Sequence, residues 1–196
     1  MSVLIPTLDD EEELKGLLRS LGGQGIGEIL RKEGGDPIEA DNELAKAAHG
    51  DIILFTAADV RMEPDTIARI HSGFMEPRTI AIAGHPIPDG ITLRLGYEFY
   101  LAMMWLFGGF PSTGNLLAIR RDAFMRLGGF EKTYNNDGQM GRKLRRIGKV
   151  RYDRGLTYRV SSRRYRRHGL IGFALQHLYM VENLLPVSGE RWRRPR

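Results

Sequence analysis

Asp51-Ile-Ile-Leu-Phe-Thr-Ala-Ala-Asp59 is the stretch that decides the fold. Its apolar run does not alternate with polar residues, which predicts a short strand covered on both faces, as in a sheet with helices on each side. Ala57-Ala58-Asp59 ends the run, so Asp59 stands at the carboxyl end of that strand, where open α/β sheets present side chains to ligands. A carboxylate there can hold Mg²⁺ or Mn²⁺ against phosphate oxygens. The alternative role is an ordinary loop or helix cap.

The neighbouring segments repeat the strand and helix alternation. Downstream, Glu63-Pro64 predicts a helix start, with Ile67, Ile70 and Phe74 as its apolar stripe, and Thr79 to Ala83 returns as a strand. Upstream, Val3-Leu-Ile5 reads as a buried strand ending at Pro6, and the acidic run to Glu13 opens a helix carrying Leu14, Leu17, Leu18 and Leu21. Asp36-Pro37 predicts another start, with Ile38, Ala45 and Ala48 facing a core and Gly50 closing the helix. Between Leu21 and Asn42, glycines surround one brief Ile26-Gly-Glu-Ile-Leu30 run, which reads as loop with at most an abbreviated strand. The pattern predicts an α/β sandwich.

Towards the carboxyl end, Leu93 to Phe107 reads as a buried or amphipathic surface helix, too short to span a membrane. Leu116 to Ile119 reads as a strand, Asp122 to Leu127 as a short helix, and Gly128-Gly-Phe130 as a turn that packs its aromatic ring. Asp137 starts a helix with Met140, Leu144 and Ile147 on its apolar side. Lys149 to Asp153 and Leu156 to Val160 read as two late strands, and the partly apolar stretch 169–187 as a packing or interfacial segment.

Composition bounds the function. The 196 residues, 42% hydrophobic and 27% charged, support one substantial core and exclude a disordered or collagen-like chain. No cysteine is present, which removes disulfides, thiolate nucleophiles and cysteine-ligated zinc, and fits a reducing compartment. No secretory apolar region follows Met1. The net charge of +5 divides unevenly: residues 1–139 carry 13 Lys/Arg against 21 Asp/Glu, and residues 140–196 carry 16 against 3. A basic tail on an acidic body fits partners bearing phosphate, such as nucleic acid, an anionic membrane or phosphorylated substrates. Nucleic acid is disfavoured because no reading motif accompanies the arginines.

Two further features carry chemistry. Asp137 is either a helix N-cap or a general base that accepts a hydroxyl proton from an acceptor. Arg163, Arg164, Arg166 and Arg167 either form a solvated surface or bind phosphate bidentately and stabilise a departing diphosphate.

In order along the chain, several short pieces resemble the family 2 glycosyltransferases, including their polyprenyl-phosphate and lipid-linked branches. They are Val3-Leu-Ile-Pro-Thr-Leu-Asp-Asp-Glu11, Gly50 to Asp59, Gly114-Asn115, Arg120-Arg121, Gly128-Gly-Phe-Glu131, Asn136-Asp137 and Ser161-Ser-Arg-Arg164. The resemblance implies a glycosyltransferase A-type, Rossmann-like three-layer sandwich with a mostly parallel mixed sheet over residues 1–168, followed by an amphipathic and basic extension over 169–196. Since 21–42 holds no clear second strand, it implies a reduced fold with a shortened nucleotide-binding region. It implies metal-dependent, inverting transfer from a nucleotide sugar to a saccharide or polyprenyl-phosphate acceptor, at the cytoplasmic face of a membrane. Pro6, Thr7 and Asp10 would lie near the nucleotide. Asp59 would be the metal and diphosphate ligand with Mg²⁺ or Mn²⁺, and Asp137 the base. Gly114 and Asn115 would line the sugar or acceptor site, and Arg163 and Arg164 would neutralise the leaving group. The family's usual Asp-Ala-Asp is Ala57-Ala58-Asp59 here, which keeps a noncatalytic binding or scaffold protein as the alternative.

Overall fold

A computed structural model describes residues 1–7, 11–106, 115–132 and 136–161. Among these the chain runs β1 (Ser2–Thr7), α1 (Glu11–Leu21), β2 (Glu28–Glu33), α2 (Pro37–Ala47), β3 (Ile52–Thr56), β4 (Val60–Met62) and α3 (Thr66–Phe74). It continues with β5 (Thr79–Pro88), α4 (Ile91–Leu106), β6 (Leu116–Arg120), α5 (Arg121–Arg126), α6 (Asn136–Arg145) and β7 (Lys149–Val160).

β1 and β3 are buried on both faces and pair in parallel, Ser2 opposite Ile53 and Leu4 opposite Phe55. Their side chains divide into two cores. Val3, Ile5, Ile52 and Leu54 pack with Leu17 and Leu21 of α1 and Ile67, Ile70 and Phe74 of α3. Leu4, Ile53 and Phe55 pack with Ile38, Leu44 and Ala45 of α2, Phe124 of α5, and Met140 and Leu144 of α6. Asp36 caps α2 by accepting from the Ile38 and Glu39 N–H groups, as the Asp-Pro pair predicts. Phe130 enters the second core edge-on to Phe55 and Phe124. The turn before it has Gly128 and Gly129 at φ 80° and 79°, and a Cβ on Gly129 would stand 2.5 Å from the Asn42 Oδ1 that accepts from Phe130 N–H. Ile147, expected on the apolar side of α6, is instead exposed.

The glycine-rich interval holds a full strand. β2 pairs in parallel with β1 over six positions, Ser2 to Thr7 against Glu28 to Glu33. Its alternating burial marks an edge strand, which is why a search for a continuous apolar run passes over it. The strand expected to be missing is therefore in place, and the expected reduction of the fold is corrected.

The sheet order is β2-β1-β3-β6-β5-β7-β4. Three pairings are parallel (β1 with β2, β1 with β3, β5 with β7) and three antiparallel (β3 with β6, β5 with β6, β4 with β7), so the sheet is not mostly parallel. Nor is it the flat middle layer of a three-layer sandwich. β4 follows β3 after Ala57-Ala58-Asp59 yet lies four places away in the order. Four strand spacings cover about 19 Å in a flat sheet, whereas the four steps from Thr56 to Val60 reach at most about 14 Å. The sheet must curl into a half-barrel that brings β4 back towards α1. β5 and β7 supply the bend with an irregularity between Gly84 and His85, where the β7 partner jumps from Asp153 to Thr157. The two late strands expected from sequence are the two halves of this one bent strand.

Arg61 of β4 fastens the closure. Its guanidinium bonds Glu13 Oε2 at 2.5 Å and the carbonyls of Ala58 and Val60 at 3.2 and 2.9 Å. It lies directly on Gly16 of α1, where a Cβ would come within 2.3 Å of it. Ser20 Oγ accepts from Met62 N–H beside it.

Gly16→Ala is expected to destabilise the wild type by displacing the guanidinium from its acceptors. In an Arg61→Met background the same change should stabilise by about 1 kcal/mol, the helical preference of Ala over Gly. Urea denaturation of the four proteins checks this, and additive effects would refute the contact.

Candidate functional site

Helices α1 and α2 cross from β1 to β2 and from β2 back past β1 to β3 on opposite faces, so the winding direction reverses between β1 and β3. In open α/β sheets the crevice outside the strand ends at such a switch point receives the ligand. Thr7 ends β1, and its Oγ1 donates to Lys32 O at 3.3 Å while its carbonyl accepts from Gly34 N–H at 2.9 Å. Thr56 ends β3 and is 3% exposed, and its hydroxyl has no hydrogen-bond partner among the described residues. Ala57 turns the chain by accepting from Val60 N–H at 3.2 Å, which leaves Asp59 half-buried at the rim.

Other elements converge on this edge. β6 runs antiparallel to β3 with Leu116 opposite Thr56, so Asn115 sits beside the Ala57 turn. The Asp59 carbonyl accepts from Ser161 N–H at 3.1 Å, which brings the end of β7 to the same place. α6 leads through a short turn into the amino end of β7, so its first residues, Asn136 and Asp137, start towards the opposite, ligand-facing edge. The structure thus gathers Pro6, Thr7, Asp59, Asn115 and the start of α6. Asp10, Gly114, Arg163 and Arg164 lie outside the described residues, as does the Asp137 side chain.

Among the described residues no group of three or more His, Asp or Glu side chains could hold a metal ion. Asp59 is the carboxylate offered at the crevice. Hard cations such as Mg²⁺ bind through one or two carboxylates and complete their shell with water and substrate phosphates. The described residues therefore fit a cation that arrives with a diphosphate.

A polar cluster that sequence reading missed stands on the same edge of β5. His85 Nε2 meets Glu98 Oε1 of α4 at 2.9 Å, its Nδ1 meets Tyr152 Oη at 2.6 Å, and Arg154 pairs with Glu98 Oε2 at 2.9 Å. A carboxylate only accepts, so Nε2 carries the proton and the Tyr152 hydroxyl donates to Nδ1. Burial pushes the His85 pKa down and the Arg154 and Arg94 charges add to this, against the upward pull of Glu98. Burial also raises the Tyr152 pKa. The sequence signal was the break in polarity at Gly84-His85, directly after an apolar strand. A second cluster, at the far end of the sheet, is structural. Ser2 Oγ and His49 N–H donate to Glu28 and lower its pKa to about 2, tying β1, β2 and the end of α2 together.

No family model matches the chain, and no curated protein matches it. Solved structures do. The mannosyltransferase PcManGT from Pyrobaculum calidifontis, in complex with GDP-Man and Mn²⁺, aligns with TM-score 0.67 at 16% identity, over 96% of this chain and 64% of that one. S. aureus TarS 1-349 in complex with UDP-GlcNAc aligns with TM-score 0.62 at 14% identity, over 83% of this chain and 58% of that one. Glucosyl-3-phosphoglycerate synthase from Mycobacterium tuberculosis, in complex with Mn²⁺ and UDP-Glc, aligns with TM-score 0.65 at 14% identity, over 93% and 77%. The chain thus spans less than two thirds of the first two, and what it shares with all three is the fold.

These findings correct the family 2 assignment. No family model supports it, the expected shortened region contains β2, and the curled mixed sheet replaces the A-type three-layer sandwich. The likeness shown is one of fold, to part of larger proteins crystallised with GDP-Man and UDP-GlcNAc.

His85 fixes a pH dependence. Because its folded pKa lies below the ordinary 6.5, the unfolded chain takes up the proton first. Its stabilisation is full above pH 6.5 and is lost as pH falls towards the lowered value. The urea midpoint of the wild type should exceed that of His85→Gln by more at pH 8 than at pH 5.5, and an equal gap at both would contradict the assignment.

Proposed function

We propose that this chain binds a nucleotide sugar and transfers its glycosyl group, with a divalent cation, to a saccharide or polyprenyl-phosphate acceptor. One observation carries the reading: Thr7, Thr56 with a hydroxyl unpartnered among the described residues, Asp59 and Asn115 lie at the same edge, at the β1/β3 switch point. They do so in a fold shared with a mannosyltransferase crystallised with GDP-Man and with proteins crystallised with UDP-GlcNAc and UDP-Glc, several with Mn²⁺.

In this reading Pro6, Thr7 and Asp10 flank the nucleotide, and Asp59 holds Mg²⁺ or Mn²⁺ at the diphosphate. When bound, the cation offsets charge on the leaving nucleoside diphosphate. Gly114 and Asn115 line the sugar or acceptor, and Asp137, on the first turn of α6, removes the hydroxyl proton of a saccharide acceptor, whereas a polyprenyl phosphate attacks through its ionised phosphate oxygen. The acceptor oxygen then bonds the anomeric carbon as the bond to the phosphate oxygen breaks on the opposite side, which inverts the configuration. Arg163 and Arg164 meet the departing diphosphate. Residues 1–168 form the catalytic unit and 169–196 a basic extension, at the cytoplasmic face of a membrane.

A noncatalytic binding protein is the second reading. The observation favouring it is the single carboxylate of Ala57-Ala58-Asp59, with no three-ligand group among the described residues.

Calorimetry with GDP-Man, UDP-Glc and UDP-GlcNAc, with and without Mn²⁺, tests both. Metal-dependent binding is expected, with Asp59→Asn weakening it. Asp137→Asn should leave donor affinity unchanged and lower turnover by about 100-fold or more, the contribution of a general base. Binding without turnover would select the second reading, and no binding of any donor would defeat both.

A further inference from the structure

Asn42 stands in the interior of α2, a position where asparagine is a poor helix former. Its side chain gives both polar ends to one residue 88 places along the chain. Nδ2 donates to Phe130 O at 2.9 Å, and Oδ1 accepts from Phe130 N–H at 2.8 Å. Alanine would serve the helix better, so the residue type answers to Phe130 and not to α2. Glu39, three residues earlier and on the same face of α2, pairs with Lys132. α2 thus grips the segment 130–132 at two points.

That segment connects the floor of the crevice to α6. The Phe130 ring packs 4.9 Å, centre to centre, from Phe55, the residue before Thr56 at the ligand-side end of β3. The turn before it closes on α5, Gly128 N–H donating to Met125 O and Gly129 N–H to Phe124 O, and Gly129 leaves room for the Asn42 amide. On the other side Glu131 accepts from Lys143 of α6 at 2.5 Å, and Phe130 shares its core with Met140 and Leu144 of that helix. α6 is therefore placed by side-chain contacts with the turn, and the turn is placed by Asn42. Without the amide, two backbone groups of Phe130 lose their partner in a part-buried setting and the turn is free to shift. A shift there passes to the first turn of α6, where Asp137 stands.

We propose that Asn42 is a positioning residue for glycosyl transfer. Through the Phe130 backbone it sets where α6 begins relative to the ends of β1 and β3, and so how Asp137 meets the acceptor hydroxyl. The inference rests on the transferase reading, in which Asp137 is the base for a saccharide acceptor. Asn42 acts through Phe130 and not on the substrate, so its contribution falls on the reaction step. Donor binding is spared, because Thr7 is held by Lys32 and Gly34, and Asp59 by Ser161, in bonds that Asn42 does not share.

The test compares the full chain with Asn42→Ala, which removes both bonds, and with Asn42→Asp, which keeps the volume and the acceptor but sets a carboxylate oxygen against Phe130 O. Donor affinity is read by calorimetry with GDP-Man, UDP-Glc and UDP-GlcNAc in Mn²⁺, turnover with saccharide acceptors, and local opening by hydrogen exchange of peptides. Both variants should keep the donor Kd within about twofold while kcat falls by about tenfold to a hundredfold, the effect of a misplacement on the order of 1 Å. Exchange over 136–140 should quicken by about tenfold, with β1 and β3 unchanged. Unchanged kcat, or unchanged exchange over 136–140, overturns the proposal. So does a loss of donor affinity that matches the loss of kcat, faster exchange throughout the sheet, or failure of both variants to fold, each of which leaves Asn42 a purely structural residue. A wild type without turnover defeats the transferase reading instead, and exchange over 136–140 then decides by itself whether Asn42 places α6.

Discussion

Everything in this molecule accommodates the brevity of the link Ala57-Ala58-Asp59. It joins a strand at the middle of the sheet to one at its far edge, and three residues cannot span that gap unless the sheet curls. The curl in turn needs a fastening, because a short edge strand such as β4 has few ladder bonds of its own. The Arg61 guanidinium supplies it by filling the space above Gly16 and pairing with Glu13. A side chain on α1 at position 16 would stand where that charge sits.

The same link creates the crevice. By turning immediately after β3 it leaves Thr56 buried, with a hydroxyl unsatisfied among the described residues, and places Asp59 at the rim. A buried polar atom without a partner costs free energy that a bound ligand can recover. Among the described residues the site is thus sparse in carboxylates and rich in strand ends, an arrangement that suits a ligand bringing its own charge. Its far wall depends on a separate device, the chain of contacts from Tyr152 through His85 and Glu98 to Arg154, which ties α4 to the bent halves of β5 and β7. Every member of that chain has a partner, so the helix is held in one rotation.

Much of the architecture was legible along the chain. The apolar run Ile52 to Phe55, the Asp36-Pro37 start of α2, the Leu17 and Leu21 face of α1, and the Gly128-Gly129 turn into Phe130 each follow from local chemistry. Position at a strand end also put Asp59 in the crevice. β2 was not legible as a strand, because an edge strand with one solvated side alternates polar and apolar residues amid glycines. β4 was hidden because three residues carry no periodicity. His85 was passed over because its partners Glu98 and Tyr152 are 13 and 67 residues away.

The sequence by itself determined the helices, the buried strands β1, β3, β5 and β6, and that charge separates along the chain, since each depends on neighbours a few residues apart. The tertiary structure alone decided the mixed strand directions, the curl, and the meeting of Thr7, Asp59, Asn115 and Ser161 at one edge. Those depend on which distant segments pair, and pairing is settled by the limited reach of a three-residue link and the burial of both sheet faces at once.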